Sequence, residues 1–409
     1  MGEPPRRCSS CGESYAESAL FCPRDGSALL SGHRSEPSDP YTGLTLQGAF
    51  RVEALIGSGA MGRVYRAHQL GLERAVALKI MHRELASNPE LVGRFQREGR
   101  IAGTLNHPHI VSALLSAEFE HEGLPIPFLV LEYLSGLSLR SALLGQGRLP
   151  LPRALHILLQ IADAVGEAHQ HGIVHRDLKP ENVMLVNRGG DPDFVKVLDF
   201  GVARFDSDVA GVMATRAGAI FGSARYVAPE CAAGNPSTKA SDVYALATLG
   251  YECLCGTTPF DGENAIQILL AQQNSAVPPL SERTAENVPP ALALVIERNL
   301  AKAPEARARD ARLFAHELID AASDALPALG LSSRTRRGHA VHKALLAVES
   351  SPRNAVRAPA APGGAKRRAA FVVLCFTLGV GFALGIAAKL GALGETSRSA
   401  VTNPSSGAP

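Results

Sequence analysis

The sequence predicts an α+β fold, with one large two-part domain between about residues 50 and 322. Strand-like and helix-like apolar patterns alternate through this range. The chain has 409 residues, of which 46% are hydrophobic and 20% charged, so it is long and apolar enough to bury a large core. The residues outside this range lack such alternation, and we interpret them as separate segments.

Charge and cysteine usage exclude some classes of function. The formal net charge of +2 gives no overall argument for nucleic-acid binding, so we expect no nucleic-acid partner. The seven cysteines are odd in number and unevenly spaced, which indicates a reducing compartment rather than a disulfide framework. The N-terminus has no apolar run, so we expect no secretory signal peptide.

The large domain begins with a predicted strand and a glycine-rich loop. Alternating apolar residues indicate a half-buried strand: Phe50, Val52, Ala54 and Ile56. The following GSGAMG, residues 57–62, lets the backbone approach phosphates closely, because glycine has no Cβ. This pattern also fits a dinucleotide-binding fold or a plain hairpin. A second strand at 64–67, where a dinucleotide site needs a helix, argues against the former.

The next predicted strand, Ala75–Ile80, carries a lysine on an otherwise apolar segment. Lys79 therefore needs an anionic partner to offset its desolvation, unless it reaches solvent from an edge strand. Asn88-Pro89 predicts a helix start, and Glu98 lies in the apolar stripe of that helix. We predict that Lys79 and Glu98 form an ion pair.

The most charged segment of the domain is HRDLKPEN, residues 175–182. It follows a predicted helix over 155–169 and a short predicted strand, Ile173-Val174, and an apolar strand at 195–198 comes after it. A solvated turn is one interpretation of this charge. The other is a catalytic loop, because oxygen-bearing side chains that suit Mg²⁺ leave neighbouring strand ends: Asp177, Asn182 and Asp199.

Six motifs occur in a single order: GSGAMGRV, VALK, Glu98, HRDLKPEN, DFG at 199–201 and APE at 228–230. In these motifs the chain resembles the eukaryotic-like bacterial Ser/Thr protein kinase family over about residues 50–320. The resemblance implies a bilobal fold with a small antiparallel β lobe plus helix and a larger, mainly helical lobe. It also implies transfer of the γ-phosphoryl of Mg·ATP to protein hydroxyl groups, with ATP and Mg²⁺ as cofactors and proteins as substrates.

The resemblance implies roles for individual residues. Asp177 would accept or steer the hydroxyl proton, and Lys179, which is typical of Ser/Thr kinases, would neutralise charge on the transferred group. Lys79 would hold the α- and β-phosphates, oriented by Glu98. The implied Mg²⁺ ligands are Asn182 and Asp199. The implied ATP pocket consists of Ile56, Gly57, Ser58, Gly59, Gly62, Val64, Ala77, Lys79, Glu132 and Leu134.

The implied activation segment runs from Asp199 to Glu230. Thr215 is its best-placed acceptor for an activating phosphate, which Arg176 would bind. The resemblance also implies structural roles, an ion pair between Glu230 and Arg307 and an anchor for the catalytic loop at Asp242.

The N-terminal residues 1–30 resemble a zinc ribbon. The implied ligands of Zn²⁺ are Cys8, Cys11, Cys22 and Asp25, with a carboxylate where a fourth cysteine is usual. A degenerate ribbon without metal is the alternative. Residues 31–47 are rich in Ser, Pro, Gly and Thr, and we interpret them as a linker.

The C-terminal part contains a predicted transmembrane helix. Residues 369–388 are 20 residues without a charge, which is long enough to cross a bilayer, although a buried core helix is the alternative. The excess of Lys and Arg before this segment places residues 1–368 in the cytoplasm and 389–409 in a short extracytoplasmic tail. We therefore expect a single-pass protein of the cell inner membrane. Residues 323–368 form a basic juxtamembrane linker that would attract anionic membrane lipid.

Other readings of function remain open at this point. A kinase-fold scaffold would bind ATP or partners without useful turnover, but such proteins usually lack equivalents of Lys79, Asp177 or Asp199, and this chain has all three. A small-molecule phosphotransferase is a third class, against which the APE motif and Arg307 argue. A homodimer would allow autophosphorylation between two copies.

Overall fold

The computed structural model describes residues 39–59, 61–200, 222–284 and 287–322, together with the backbone of two short paired strands, β1 (Arg6–Arg7) and β2 (Ser14–Tyr15). The chain divides into two compact units, Met1–His339 and Ala340–Pro409. The described residues belong to the first unit. Several predicted features lie outside them, namely the four zinc ligands, Thr215, the basic linker, the span at 369–388 and the tail.

The first lobe is a six-stranded antiparallel sheet with one long helix packed against it. The strand order is β3-β4-β5-β6-β8-β7. The strands are β3 (Thr45–Leu46), β4 (Phe50–Ser58), β5 (Gly62–Gln69), β6 (Arg74–Met81), β7 (Ala113–His121) and β8 (Leu124–Glu132). Helices α1 (Arg83–Ala86) and α2 (Pro89–Thr104) connect β6 to β7. This lobe has its own apolar core, centred on Tyr65, Phe95 and Phe128.

Strand β4 departs from the predicted alternation after its first residues. Phe50 and Val52 are buried, whereas Ala54 and Ile56 are exposed. A β-bulge between Val52 and Ala54 adds a residue to one strand, which moves the later side chains to the opposite face. The prediction that Ala54 and Ile56 share the buried face of this strand is therefore wrong.

Residues 39–47 pack on the sheet, which differs from the linker predicted over 31–47. Tyr41 and Leu46 are buried, and the ring of Tyr41 packs edge-on against Tyr65 and Phe119. The carboxylate of Asp39 accepts a hydrogen bond of 2.7 Å from the Tyr65 hydroxyl. A polar composition concealed two apolar anchors, because single buried residues produce no periodic pattern.

Helix α2 begins where the sequence predicts. The side-chain oxygen of Asn88 accepts hydrogen bonds from the backbone N–H groups of Glu90 and Leu91, which caps the helix. Its buried stripe contains the predicted residues Leu91, Phe95, Glu98 and Ala102. The stripe faces the sheet, so Glu98 points towards β6.

The second lobe is mainly helical. Its described helices are α3 (Leu139–Gln146), α4 (Leu151–Gln170), α5 (Pro229–Ala232), α6 (Lys239–Cys255), α7 (Ala265–Asn274), α8 (Leu280–Arg283), α9 (Pro290–Arg298) and α10 (Ala311–Ala322). A small sheet, in the order β11-β10-β9, lies beside them and consists of β9 (Gly136–Ser138), β10 (Val183–Arg188) and β11 (Asp191–Val197). Helices α4 and α6 supply nearly half of the residues of the large apolar core.

The segment between α4 and β10 forms the catalytic loop predicted from HRDLKPEN. Gly172, with φ of +72°, ends the turn after α4. Ile173 and Val174 are half-buried and form no strand, so the short strand predicted there is wrong. Their backbone instead leads into the catalytic loop, which is held by hydrogen bonds to the side chain of Asp242. Within the described residues, no helix combines the length and apolar character needed to cross a membrane.

Candidate active site

Three charged side chains from three different elements meet between the lobes. Lys79 of β6 forms an ion pair with Glu98 of α2, as the sequence predicts. The same ammonium group lies 3.0 Å from Oδ1 of Asp199, two residues beyond Val197, the last residue of β11. Lys79 and Glu98 are almost buried, with side chains 12% and 7% exposed. The ammonium group of Lys79 therefore links strand β6 to helix α2 and to Asp199 of the DFG motif.

The pKa values of these groups follow from burial and from their mutual contacts. Burial disfavours the charged form of Lys79, but Asp199 and Glu98 outweigh this effect and raise the pKa of Lys79. Burial and the negative charge of Asp199 raise the pKa of Glu98, while Lys79 opposes the shift. Although burial works against its charged form, Lys79 lowers the pKa of Asp199 to about 2. Asp199 is thus ionised at neutral pH, as a cation ligand must be.

The catalytic loop brings together the predicted residues of HRDLKPEN. Lys179 Nζ lies 2.8 Å from Oδ2 of Asp177 and donates a hydrogen bond of 2.9 Å to Oγ of Ser223. The side-chain amide of Asn182 donates to the backbone oxygen of Asp177 at 2.8 Å and to its Oδ2 at 3.2 Å. Asp177 is therefore held by a cation on one side and by an amide on the other.

Asp242 of α6 anchors this loop from the buried side. Its two carboxylate oxygens accept hydrogen bonds from the backbone N–H of His175 at 2.7 Å and of Arg176 at 3.0 Å. His169 Nε2 lies 2.9 Å from the same carboxylate. These bonds hold Arg176 at φ +71°, a left-handed conformation that a non-glycine residue adopts at a cost of about 1–3 kcal/mol. Such strain persists only where the surroundings impose it.

The glycine loop contains two kinds of glycine. A Cβ on Gly62 would collide with the backbone carbonyl of Ile80 in the neighbouring strand, so protein packing alone requires glycine there. A Cβ on Gly57 or Gly59 would meet only ordinary contacts or open space. Gly59 donates its N–H to the Gly62 carbonyl at 2.8 Å. Two of the three predicted phosphate-loop glycines therefore have no packing reason to be glycine, which leaves close approach of a ligand as the reason.

The predicted walls of the ATP pocket border this loop and the end of β8. Ala77 is buried and pairs with Leu131 across β6 and β8, Val64 and Leu134 are half-buried, and Ile56 is 51% exposed. The side chain of Glu132 forms an ion pair with Lys196 at 2.6 Å, so it does not face the cleft. The backbone N–H of Glu132 donates to the Ser112 carbonyl at 3.0 Å, so its backbone carbonyl is the group left for a contact with the adenine of ATP.

The residues predicted to bind Mg²⁺ fit a hard cation. The Asn182 amide nitrogen is occupied, and its side-chain oxygen accepts no hydrogen bond from the part of the chain that the structure describes. Asp199 supplies an ionised carboxylate. No cluster of three or more His, Cys, Asp or Glu side chains suited to a metal occurs among the described residues. Two oxygen ligands are nevertheless sufficient for Mg²⁺ when nucleotide phosphates and water complete its coordination.

Sequence reasoning missed a buried network beside the catalytic loop. Arg140 of α3 donates to Glu181 at 2.8 Å, to Glu252 at 2.7 Å and to the hydroxyl of Tyr226 at 2.7 Å. Tyr226 in turn donates to Glu252 at 2.5 Å. The partners of Arg140 lie 41 to 112 residues from it in the chain, and only Glu181 belongs to a recognisable motif. The predicted structural pair of Glu230 and Arg307 is also present, with two hydrogen bonds of 2.8 and 2.9 Å.

Comparison with known proteins gives a consistent result. Residues 50–319 match the family described as protein kinase domain. The chain is 39% identical over 287 residues to the serine/threonine-protein kinase pkn3 of Myxococcus xanthus, which covers 70% of this chain and 52% of that protein. It is 39% identical over 277 residues to the serine/threonine-protein kinase PknA of Mycobacterium tuberculosis, covering 68% and 62%.

A solved structure supports the same fold. The Mycobacterium tuberculosis PknI kinase domain has a TM-score of 0.52 and 30% sequence identity, over 68% of this chain and 98% of that one. The chain spans about half to three-fifths of the length of the two curated relatives above. With its two lobes, its catalytic loop and these matches together, the chain belongs to the protein kinase family and resembles the bacterial Ser/Thr kinases within it.

Proposed function

We propose that the chain is an ATP-dependent Ser/Thr protein kinase. The observation that carries this proposal is the contact of Lys79 with both Glu98 and Asp199. Phosphoryl transfer by protein kinases requires these groups to be in place together. The alternative is a kinase-fold scaffold without useful turnover. Convergence of the intact set of charged groups supports turnover.

Each group of the site has a chemical task in this proposal. Lys79 binds the α- and β-phosphates, and Glu98 holds its ammonium group in place. Asp177 orients the substrate hydroxyl and receives its proton, while Lys179 lies against both Asp177 and Ser223 and neutralises charge on the transferred phosphoryl group. Because phosphoryl transfer depends on positioning and on charge stabilisation, these contacts are the main contribution of the protein.

ATP and Mg²⁺ are the cofactors in this proposal. Gly57 and Gly59 offer backbone approach to the phosphates, and Asn182 and Asp199 would hold the cation. Bound Mg²⁺ neutralises negative charge on the phosphates. Thr215 is proposed as an autophosphorylation site because of its place in the activation segment that the sequence predicts.

The direct test uses the full chain in detergent with Mg·ATP and a generic protein substrate, next to Asp177→Asn. We expect phosphorylation by the wild type and a loss of at least about a thousandfold in the variant, since the catalytic carboxylate is removed while nucleotide contacts stay. Phosphosite mapping shows whether Thr215 is modified. Equal nucleotide binding by both proteins without phosphate transfer by either would favour the scaffold.

The predicted membrane anchor is a further proposal. It is supported by the uncharged segment 369–388 and its basic flank. In this proposal residues 1–368 face the cytoplasm, and the basic linker 323–368 contacts anionic lipid. Cell fractionation of the full chain and of a variant lacking 369–388 tests it. Recovery of the full chain in the soluble fraction would contradict the anchor.

Two other proposals concern assembly and zinc. A homodimer would allow autophosphorylation between copies, and its signature is an autophosphorylation rate that rises with protein concentration. Cys8, Cys11, Cys22 and Asp25 are proposed as zinc ligands. Metal analysis of the purified full chain and of Cys22→Ser measures the zinc content, and less than one zinc per wild-type chain after metal-free purification would favour the degenerate ribbon.

A further inference from the structure

Lys196 is a second buried lysine on a strand next to the active site, and the mechanism above does not use it. It lies on β11, three residues before Asp199, and is only 4% exposed. Its ammonium group donates to the backbone oxygen of Ile110 at 3.1 Å and to Oε1 of Glu132 at 2.6 Å. The same Oε1 accepts the backbone N–H of Ser112 at 2.8 Å. We refer to Ile110, Ser112, Glu132 and Lys196 as the Lys196 junction.

The Lys196 junction joins three parts of the domain that border the nucleotide site. Glu132 ends strand β8 at the hinge, residues 131–134, where the chain crosses between the lobes. The backbone N–H of Glu132 donates to the Ser112 carbonyl at 3.0 Å. Ile110 and Ser112 belong to the connection that follows α2, the helix of Glu98. Strand β11 leads to Asp199. The ammonium group of Lys196, on the strand that leads to Asp199, thus contacts both Glu132 at the hinge and the connection that follows α2.

Backbone bonds make the junction stiff around this lysine. The N–H of Val197 donates to the His109 carbonyl at 2.8 Å, and the N–H of Val111 donates to the Val197 carbonyl at 3.0 Å. Lys196 stands next to Val197 in β11, so its Cα has little freedom to move relative to this connection. A change in its side-chain contacts is therefore transmitted mainly to Glu132, at the hinge.

Stability alone does not account for a lysine at this position. Burying an ammonium group is costly, and replacing both members of a buried ion pair with apolar side chains often leaves stability unchanged or raises it. An apolar residue such as methionine would match the buried neighbours of Lys196 in the strand, Val195 and Val197. The polar contacts do supply something that an apolar residue lacks, which is a directional link between strand β11 and the hinge.

We propose that Lys196 is a positioning residue for nucleotide binding, which fixes the hinge relative to Asp199 through Glu132. The proposal rests on the proposed kinase function for its ligand, Mg·ATP. Lys196 does not touch the reacting atoms in this proposal. Its loss widens the range of hinge positions, so fewer molecules present the adenine contacts and the Mg²⁺ ligand at the correct separation.

The test measures binding of Mg·ADP to the full chain by calorimetry, so it is independent of phosphoryl transfer. We expect Lys196→Met to bind about tenfold more weakly than the wild type, while Lys196→Arg, which keeps the charge and the donors, recovers part of the loss. In the kinase assay, KM for ATP should rise with little change in KM for the protein substrate. If the wild-type protein binds Mg·ADP but transfers no phosphate, the proposed kinase function is contradicted. The comparison of Mg·ADP affinities between the wild type and the Lys196 variants still tests the role of Lys196.

A matched control removes another partly buried lysine by the same substitution. Lys302 donates to the Gln272 carbonyl at 2.6 Å and lies over the ring of Phe260, in the helical lobe. We expect Lys302→Met to keep wild-type affinity for Mg·ADP. An equal loss of affinity in both methionine variants would show a general effect of destabilisation and would overturn the proposal.

A second variant keeps the proposal testable if Lys196→Met does not fold. Glu132→Gln keeps an acceptor oxygen but removes the negative charge, so we expect weaker Mg·ADP binding in the same direction and a smaller loss. In the double variant with Lys196→Met the losses should not add, because both changes break one contact. If Lys196→Met folds and binds Mg·ADP as tightly as the wild type or more tightly, the proposal is overturned. If Lys196→Met does not fold, the same result in Glu132→Gln overturns it.

Discussion

At the scale of single residues, the glycine loop separates a packing requirement from a ligand requirement. A Cβ on Gly62 would collide with the carbonyl of Ile80, whereas a Cβ on Gly59 would make only an ordinary contact of 3.8 Å with the Gly62 carbonyl. Both positions carry glycine in the same six-residue motif, but a methyl group has different consequences at each. At Gly62 it must displace the backbone of β6, the strand that carries Lys79, and at Gly59 it only restricts what can approach the loop.

The two alanine variants of this loop should therefore behave differently. We expect Gly62→Ala to lower the free energy of unfolding by about 2 kcal/mol through the clash with β6. Gly59→Ala should leave unfolding within about 0.5 kcal/mol of the wild type and should weaken Mg·ADP binding. Urea unfolding and calorimetry measure the two effects. Comparable stability losses in both variants would contradict this assignment.

The charged groups of the site show why contacts matter more than residue type. Lys79 and Lys196 both lie between apolar neighbours on a strand, and each one pairs with a carboxylate on another element. The argument that predicts a partner for Lys79 applies equally to Lys196, since desolvation of an unpaired ammonium group is costly in both places. For Lys79 the partner followed from a nearby helix pattern, but Glu132 is 64 residues from Lys196 and carries no such pattern.

At the scale of elements, the position of α2 depends on its cap. Asn88 caps this helix, and Asn264 caps α7 by accepting the N–H of Gln267 at 2.9 Å. We expect Asn88→Ala and Asn264→Ala each to lose about 1 kcal/mol of stability. Only Asn88→Ala should also weaken Mg·ADP binding, because α2 carries Glu98. Measured affinities that are equal in the two variants would show that the cap does not affect the position of Glu98.

The ion pair between Glu230 and Arg307 joins α5 to the segment before α10. The Arg307 side chain is fully buried and its partner 11% exposed. Burial alone would raise the pKa of Glu230, but the hydrogen bonds and charge of Arg307 outweigh it and lower the pKa. A carboxyl group with a lowered folded-state pKa contributes stability that is complete above its unfolded value, about 4.5, and is lost as the pH falls through the folded-state value.

This linkage predicts a pH-dependent difference between the wild type and Glu230→Gln. At pH 7 we expect the variant to be less stable by about 3 kcal/mol, since Arg307 loses its buried counter-charge. The difference should narrow as the pH falls below about 4.5, where the wild-type carboxyl group begins to bind a proton. Chemical unfolding across pH measures it. Glu90→Gln, which removes an exposed pair with Arg94, is the control, with an expected change under about 0.5 kcal/mol.

At the scale of the whole molecule, the site is formed only when both lobes are in place. The sheet lobe has a core around Phe95 and Phe128, and the helical lobe has a separate one around α4 and α6. Lys79 and Asp199 come from different lobes and are 120 residues apart. A ligand that contacts both should therefore stabilise the complete fold and not one lobe alone.

Nucleotide binding should accordingly raise thermal stability in a way that depends on the cation. With Mg·ADP at about a hundred times its Kd, we expect a stabilisation of about 2.7 kcal/mol. Removal of Mg²⁺ with a chelator should abolish most of this gain. Asp199→Asn should lose the part that depends on Mg²⁺, which thermal unfolding with and without chelator measures. A gain that is unaffected by the chelator would argue against Asn182 and Asp199 as metal ligands.

The local features of this protein were predictable from the amino-acid sequence alone. The order of the motifs, the cap and stripe of α2, and the pairing of Lys79 with Glu98 were all readable, because each depends on patterns within one element or on neighbouring elements. The same reasoning identified the protein kinase family from HRDLKPEN, DFG and APE. Periodicity reports which face of an element is buried, and motif order reports which elements follow one another.

Contacts between groups that are distant in the chain depend on how the elements pack, and the residue patterns of the sequence did not predict them. The β-bulge in β4 is a backbone irregularity that leaves no mark in the residue pattern, so the alternation wrongly predicts that Ile56 is buried. The contacts of Arg140 with Glu252 and of Lys196 with Glu132 link elements far apart in the chain. Such pairs form because packing of the two cores brings their elements together, and a desolvated charge then requires whichever partner that packing provides.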